Sequence, residues 1–237
     1  MRFPVIVSIE KREFVAPFQE ALRDTYPVLR PEKIREFLMG PQEVAPAQSQ
    51  VVWRFKDADE KWRVSLAPDF IALETTAYSS RSDFLNRLQV ALHALTEHVG
   101  PKIVDRLGLR YIDRVTGQNV ANMTMLVRPE VIGVLATPLA AYAQHALSES
   151  LFAVPDTKAQ LRARWGQVPP NATVDPATLE PVETRSWILD LDMFSGALRA
   201  FDTEGLVAEA RTYAERIYTL FRWAVTDEFL RRYGGDV

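Results

Sequence analysis

The sequence predicts an α+β protein whose mainly antiparallel strands form two sheets, or two halves of one sheet, each covered by a long helix. Segments rich in β-branched and aromatic residues alternate with polar ones, which is typical of half-buried strands. Two other segments carry apolar residues at spacings of three and four, which is typical of amphipathic helices. Strands followed by a long helix occur twice, so we expect an N-terminal unit over residues 1–120 and a C-terminal unit over residues 121–237.

The N-terminal unit is expected to begin with short helices and to continue as a strand meander. A polar break at residues 39–49 precedes strands at residues 51–55 and 62–78. Turns are expected at residues 57–60 and 67–69, where acidic residues and a proline interrupt the alternation. These turns indicate neighbouring antiparallel strands.

A helix near residues 81–99 follows the meander. Ser80 and Asp83 fit the capping box, in which a hydroxyl and an acidic side chain satisfy free amides at a helix start. Gly100 ends the periodic segment, and a further strand near residues 107–115 completes the unit. The apolar stripe of this helix consists of Phe84, Leu88, Ala91, Leu92, Leu95 and Val99.

The C-terminal unit repeats this order. An Ala-rich connector over residues 129–147 favours helix, although Gly133 and Pro138 interrupt it. A proline-rich polar segment over residues 167–183 predicts a loop, and a long closing helix is expected near residues 203–233. Strands are expected at residues 151–154, 160–165 and 186–194.

Composition excludes several classes of function. Twenty-eight basic and 31 acidic residues give a net charge of −3, so no global positive field favours nucleic acid, which is not expected as a partner. Cysteine is absent, which excludes disulfides, thiolate nucleophiles and Cys-ligated metals. The charged residues among the first ten interrupt any signal peptide or membrane span, so we expect a cytoplasmic protein without membrane association.

Motifs for catalysis or cofactors are also missing. The sequence contains no GxSxG, GxxxxGK[ST] or GxGxxG pattern. His93 and His98 lie five positions apart, so a helix does not place them on one face as a chelating pair, and His145 has no ligand motif around it. We therefore predict no metal, no cofactor and no catalytic residue, and we favour binding over catalysis. Five large aromatic residues on expected strands are interpreted as core: Trp53, Phe55, Trp62, Trp165 and Trp187.

Arg110 and Arg114 share one face of an expected strand, because alternate side chains of a strand point the same way. Together they could clamp a carboxylate or a phosphate, for which the planar guanidinium is well suited. The alternative is pairing with acids on neighbouring strands, with Glu74, Asp190 or Asp192 as candidates.

Asp190 and Asp192 likewise share one strand face. Two adjacent acids could bind a divalent cation, or act as an acid and a base if their pKa values split. The alternative is a cross-strand ladder, because Arg162 and Arg164 have the same spacing on their own strand.

The closing helix carries large aromatic residues on more than one face. Trp223 lies off the main apolar stripe, and Phe229 and Tyr233 follow it among the basic residues Arg231 and Arg232. Basic residues near a helix C-terminus interact favourably with the helix dipole, which alone could explain them. A helix that is apolar on two faces can instead also pack on a partner, so Trp223, Phe229 and Tyr233 are candidate partner-binding residues, with a homodimer as one form of partner.

The run RLGLRYIDR, Arg106 to Arg114, resembles the central motif of an uncharacterised, sporadically distributed family of bacterial conserved hypothetical proteins. FPVIVSIEKREF, TYP, VVWRF, VSLAPDFIALETTAY, WILDLDMF and FRWAVTDEF agree with it, so the resemblance covers nearly the whole chain. The chain departs from many relatives at Asp113, where asparagine is expected. The resemblance implies a bacterial origin and a fold, but no activity, cofactor or catalytic residue.

We therefore expect a non-catalytic accessory or regulatory protein that binds a protein or peptide partner through sheet edges and the closing helix. The sporadic distribution of the family fits a mobile or defence-linked system. The alternative is a small-anion-binding or hydrolytic protein, with a pocket between sheet and helix. That pocket would use Arg110, Arg114, Asp190 and Asp192.

Overall fold

The computed structural model of the protein describes residues 1–35, 38–39, 44–45, 49–155 and 157–234. The chain forms two compact units, and each unit is built from two segments. Both units combine helices with antiparallel strands, which confirms the α+β prediction. The first unit comprises Met1–Leu107 and Gly196–Arg211, and the second comprises Gly108–Ser195 and Thr212–Val237.

This division differs from the boundary expected at residue 120. The strand expected at residues 107–115 belongs almost entirely to the second unit, because it pairs with a strand more than 70 positions later in the chain. Conversely, Gly196–Arg211 returns to the first unit, where Arg199 and Val104 are partners in a short antiparallel pair. Long-range strand pairing therefore decides the division, and local composition does not reveal it.

The first unit contains a four-stranded sheet in the order β1-β4-β5-β6, with antiparallel neighbours throughout. The predicted meander is confirmed. β1 was not expected from the sequence, because it contains Pro31 and four charged residues. Proline has no N–H to donate and is tolerated at a sheet edge, which is where β1 lies. The strands are β1 (Val28–Arg35), β2 (Leu38–Met39), β3 (Val44–Ala45), β4 (Ser49–Lys56), β5 (Trp62–Ala67) and β6 (Phe70–Thr75).

β2 and β3 form a separate two-stranded pair. The break predicted at residues 39–49 lies largely outside the described residues.

Two helices pack against this sheet. α1 (Arg12–Leu22) follows a 3₁₀ turn at Val7–Glu10, and α2 is Arg81–His98. The Ser80 side chain accepts a hydrogen bond from the Asp83 backbone N–H at 3.1 Å, so the predicted cap and the predicted helix are both confirmed. Ring contacts join helix to sheet at 5.3 Å between Phe18 and Phe55 and at 5.9 Å between Trp62 and Phe84. The core of the first unit lies at these contacts.

The second unit contains a four-stranded sheet in the order β8-β11-β10-β9. Its strands are longer than the sequence indicates. β9 begins within the Ala-rich connector, because eight of its residues pair with β10 and this pairing overrides local helix propensity. β10 extends to Val168, so the proline-rich loop begins two residues later than the segment that predicted it. β7 is Ile103–Val104, and the others are β8 (Leu107–Thr116), β9 (Ala146–Ala153), β10 (Ala159–Val168), β11 (Ser186–Ser195) and β12 (Arg199–Ala200).

The connector between β8 and β9 consists of short helical pieces. Its interruptions lie at Gly133 and Pro138, as expected from the sequence. The pieces are 3₁₀ turns at Gly117–Asn122, Gly133–Ala136 and Pro138–Ala141, with α3 (Met123–Leu126) and α4 (Pro129–Ile132) between them.

The closing helix is interrupted, whereas the sequence predicts one helix near residues 203–233. α5 (Thr203–Ala224) ends before Val225, and α6 (Asp227–Tyr233) begins after Thr226. Val225 forms an antiparallel bridge with Val127, and the Thr226 hydroxyl donates to the Met125 carbonyl at 2.7 Å. These contacts with the connector hold the backbone out of helical geometry. No helix within the described ranges is long and apolar enough to cross a membrane.

Candidate functional site

One face of the second sheet carries a network of arginine and aspartate side chains centred on Asp190. Asp190 lies on β11 between the two neighbouring strands, and its side chain is 1% exposed. Its two oxygens accept hydrogen bonds from Arg110 Nε at 2.7 Å and Arg110 Nη2 at 2.9 Å. Oδ2 also accepts from Arg164 Nε at 3.0 Å and Arg164 Nη2 at 2.6 Å. One carboxylate therefore binds a guanidinium from β8 and another from β10.

A second pair extends this network along the sheet. The register places Arg164 opposite Asp190 and Arg162 opposite Asp192. Arg162 Nη2 donates to Asp192 Oδ2 at 3.0 Å. The cross-strand ladder predicted from the matched spacing of the two arginines and two aspartates is confirmed, since paired residues of antiparallel strands point to the same face.

The proline-rich loop supplies a third acid to the network. Arg110 Nη1 donates to Asp175 Oδ2 at 2.7 Å, and the Thr178 hydroxyl donates to the same oxygen at 3.2 Å. Partial burial raises the pKa of Asp175, but the hydrogen bond and charge of Arg110 outweigh burial and hold this pKa below its ordinary value. The loop is thus tied to the sheet by an ion pair. Sequence reasoning missed Asp175, because no periodicity or motif marks it.

Arg110 finds its acidic hydrogen-bond partners within the network itself. Burial lowers the pKa of Arg110, but hydrogen bonds and charge from Asp190 and Asp175 outweigh it and raise the pKa above the ordinary value. An external anion at Arg110 would have to displace one of these two acids. The network therefore acts chemically as a neutralised structural cluster.

Arg114 does not join Arg110 on one anion. Its Nε is buried and has no hydrogen-bond partner among the residues that the structure describes, and burial lowers the pKa of Arg114. The neighbouring Asp113 points to the opposite strand face, where burial raises its pKa to about 6. The predicted two-arginine clamp is therefore not assembled: Arg110 is paired with acids and Arg114 lies apart from them.

Metal-ligating residues do not cluster in the part of the chain that the structure describes. Across the described ranges, no three His, Asp or Glu side chains are arranged so that they could hold a metal ion. His93 lies 3.4 Å from Glu204, and His98 lies 3.8 Å from Glu97. Each of these histidines thus pairs with one acidic side chain among the described residues.

The aromatic residues of the closing helices form a row of ring contacts. Tyr218 stacks on Phe221 at 6.2 Å, Phe221 meets Phe229 edge-on at 5.8 Å, and Phe229 lies 4.7 Å from Tyr233. Tyr218, Tyr233 and Trp223 are exposed, with Trp223 outside the row. Phe229 is only 5% exposed, and its ring contacts Phe221 and Tyr233. It therefore supports the row and does not present its ring to a partner.

The edge strand β9 carries exposed apolar side chains and lies at one end of the second sheet. Within the described part of the chain it pairs with β10 alone, so its other edge is open. Leu151 is 57% exposed and Phe152 is 44% exposed, although they point to opposite faces of the sheet. Sequence reasoning located only the end of this strand. Serines occupy alternate positions between Leu147 and Leu151. This period-two pattern is the sequence signal that could have shown that the strand begins earlier.

Comparison with known proteins gives no further guidance: no family model, no curated protein and no solved structure matches the chain. A function must therefore be argued from the geometry of the described residues. Three features carry that argument, namely the neutralised network, the aromatic row and the open edge of β9.

Proposed function

We propose that this chain is a non-catalytic, cytoplasmic accessory or regulatory protein that binds a peptide segment of a protein partner by strand addition at β9. The observation that carries the proposal is the open, apolar edge of this strand. An edge strand presents a row of N–H and C=O groups that can pair with a further strand. The resemblance to a sporadically distributed bacterial family favours a mobile or defence-linked system as its setting.

β9 lacks the features that usually protect a sheet edge. Natural edges are commonly short, interrupted by proline, or charged. β9 has eight residues, no proline, and Glu149 as its single charged residue. Leu151 and Phe152 add apolar surface on both faces beside the open edge. This combination is suited to pairing with another segment.

The partner segment is expected to be an extended peptide with apolar side chains at alternate positions. Such side chains would lie beside Leu147 and Leu151, which share one face of β9. A basic residue of the peptide would lie near Glu149, whose side chain is exposed and whose nearest cation is Arg164 at 3.7 Å. Affinity would come from main-chain hydrogen bonds, and specificity from these three side chains.

The Arg–Asp network supports a binding role over catalysis. Asp190 and Arg110 neutralise each other, so neither is poised to transfer a proton or to clamp a substrate. The hydrolytic and anion-binding alternative needs these groups to be accessible to a ligand. No contact in the network favours that alternative.

Selection of peptides on the purified protein tests the proposal. A displayed random library of peptides of about ten residues is long enough to span β9. We expect the selected peptides to share alternating apolar residues and a basic residue. Bound peptide should slow hydrogen exchange at backbone amides of β9, residues 146–153.

Matched variants separate β9 from other surfaces. Leu151→Lys and Glu149→Lys should weaken binding about 10-fold or more, because each places a positive charge beside the basic peptide. Leu198→Lys, at another exposed leucine, should leave affinity unchanged. Equal binding by Leu151→Lys, or selection of no peptide, would contradict the proposal. Loss of binding only in Trp223→Ala would move the partner surface to the closing helices.

A further inference from the structure

A cavity of about 730 Å³ opens in the second unit beside the beginning of β11. Strand residues Gln167 and Trp187 line the cavity together with residues of the connector between β8 and β9. Ligand sites for small molecules commonly have volumes of about 300 to 1,000 Å³. The four residues of the predicted anion pocket, Arg110, Arg114, Asp190 and Asp192, do not line this cavity.

Trp187 lines this cavity, and its side chain contains a buried hydrogen-bond donor that is not satisfied. The residue is 1% exposed, and its indole Nε1–H has no hydrogen-bond partner among the residues that the structure describes. By contrast, the buried Trp53 donates its Nε1–H to the Ile9 carbonyl at 2.7 Å. A buried donor without a partner is unfavourable, and an indole N–H can only donate. An acceptor atom on a bound molecule would satisfy it.

Arg185 brings a positive charge to the same cavity. It lies two residues before Trp187 and is exposed. It forms no ion pair with any side chain in the described part of the chain. Its guanidinium is therefore available to an anionic group of a molecule bound in the cavity. Such groups accept hydrogen bonds from N–H donors and pair with arginine at the same time.

The rest of the lining is mainly apolar. Met123, Ile132 and Leu135 come from three successive pieces of the connector. Met123 and Ile132 are buried, and their side chains offer contact to a hydrocarbon or aromatic body. Burying apolar ligand surface against such residues is favourable.

We propose that this cavity binds a small organic monocarboxylate with an apolar body. The carboxylate accepts the Trp187 Nε1–H and pairs with Arg185, and the body lies against Met123, Ile132 and Leu135. This site is separate from the open edge of β9, and it adds a small-molecule ligand to a protein proposed to bind peptides. The anion-binding groups of this site are Arg185 and Trp187, whereas the sequence predicted Arg110 and Arg114.

Titration of the full chain with straight-chain carboxylates from butyrate to decanoate tests the inference by calorimetry. We expect saturable binding of at least one of them with one site per chain. The alcohol and the amine of the same length should bind about 10-fold or more weakly, because neither supplies an anionic acceptor. Absence of saturable binding throughout the series would overturn the inference, as would an amine that binds as tightly as its carboxylate.

Variants locate the site. Arg185→Gln, at an exposed position, should weaken carboxylate binding about 10-fold, whereas Arg128→Gln should leave it unchanged. Trp187→Phe keeps an aromatic ring but removes the donor, and it should weaken binding about 5-fold or more. Unchanged affinity in Arg185→Gln would overturn the inference whether or not Trp187→Phe folds.

A spectroscopic readout identifies the donor directly. The five tryptophans give indole N–H signals in a ¹H–¹⁵N spectrum, and the signal missing from Trp187→Phe belongs to Trp187. Carboxylate should move that signal downfield, as expected for a newly formed hydrogen bond, and should leave the Trp53 signal in place. A carboxylate that binds without moving the Trp187 signal would contradict the assigned geometry. Peptide binding at β9 should be unchanged in Arg185→Gln, so the two proposals can fail separately.

Discussion

Asp190 Oδ1 accepts the Arg110 Nε–H at 2.7 Å, and the same carboxylate holds Arg164 on its other side. A single buried acid thus accepts hydrogen bonds from two guanidinium groups, one from the strand on each side of β11. Burial of an ion pair is costly, but removal of one member leaves the remaining charge without compensation. The stability of the second sheet should therefore depend strongly on this one carboxylate.

Asp190→Ala is expected to lower the free energy of unfolding by about 3 to 5 kcal/mol, because Arg110 and Arg164 lose their shared acceptor. Urea unfolding followed by circular dichroism measures the change. Arg23→Ala, which breaks the exposed pair with Glu20, should cost only about 0 to 1 kcal/mol. Similar costs for the two variants would show that the network does not carry the stability assigned to it.

Asp113→Asn is expected to change the pH dependence of stability. Burial raises the pKa of Asp113 from 3.8 to about 6, so the folded state holds this proton to higher pH than the unfolded chain. The free energy of unfolding therefore falls as pH rises between these two values, by about 2 to 3 kcal/mol in all. The variant removes this penalty and should be the more stable protein by about that amount near pH 8.

Near pH 4 the same variant should differ little from the original chain, because Asp113 is then largely protonated in the folded state. Urea unfolding across the pH range measures the difference. A stability difference that is the same at about pH 4 and about pH 8 would contradict a raised pKa at Asp113.

Gly166→Ala is expected to loosen β9. Gly166 has φ +142°, and an added Cβ would collide with the carbonyl oxygen of Ala146 on β9. Both backbone strain and this collision should lower the free energy of unfolding, by more than about 2 kcal/mol together. Hydrogen exchange should also quicken in β9.

Gly234→Ala is the matched control for this substitution. Gly234 has φ +77°, but no described atom lies within 4 Å of an added Cβ. Strain alone should cost about 1 kcal/mol there. Equal losses of unfolding free energy at the two glycines would show that the collision with Ala146 does not contribute to the loss at Gly166.

Ser80→Ala is expected to lower the free energy of unfolding by about 1 kcal/mol, because the Asp83 N–H loses its acceptor at the start of α2. Thermal unfolding measures the shift. Ser82→Ala, two positions later and exposed, should be nearly neutral. A larger cost at Ser82 would contradict the capping role of Ser80.

Local periodicity was sufficient to predict much of the fold. α2 and its cap, the strands β4 to β6, and the strands β8 and β11 follow from side-chain spacing and turn residues within a few positions of one another. The ladder that joins Arg162 to Asp192 also followed from spacing, because two strands with matched patterns can pair in register.

Features that depend on distant contacts were not predictable in this way. The ion pair of Asp175 with Arg110 joins residues 65 positions apart, and nothing near Asp175 in the sequence indicates it. The interruption of the closing helix at Thr226 results from a contact with Met125 that lies 101 positions away. The cavity beside Trp187 likewise arises where the connector meets strand ends, so the sequence indicated only that Trp187 is buried.

The interleaved composition of the two compact units limits how the protein can be divided. The chain passes from one unit to the other three times, between residues 107 and 108, 195 and 196, and 211 and 212. A fragment that stops at residue 120 would lack Arg199, the partner of Val104, and would retain β8 without β11. Two fragments expressed together could restore these pairs by complementation, whereas either fragment alone would have an unfinished core.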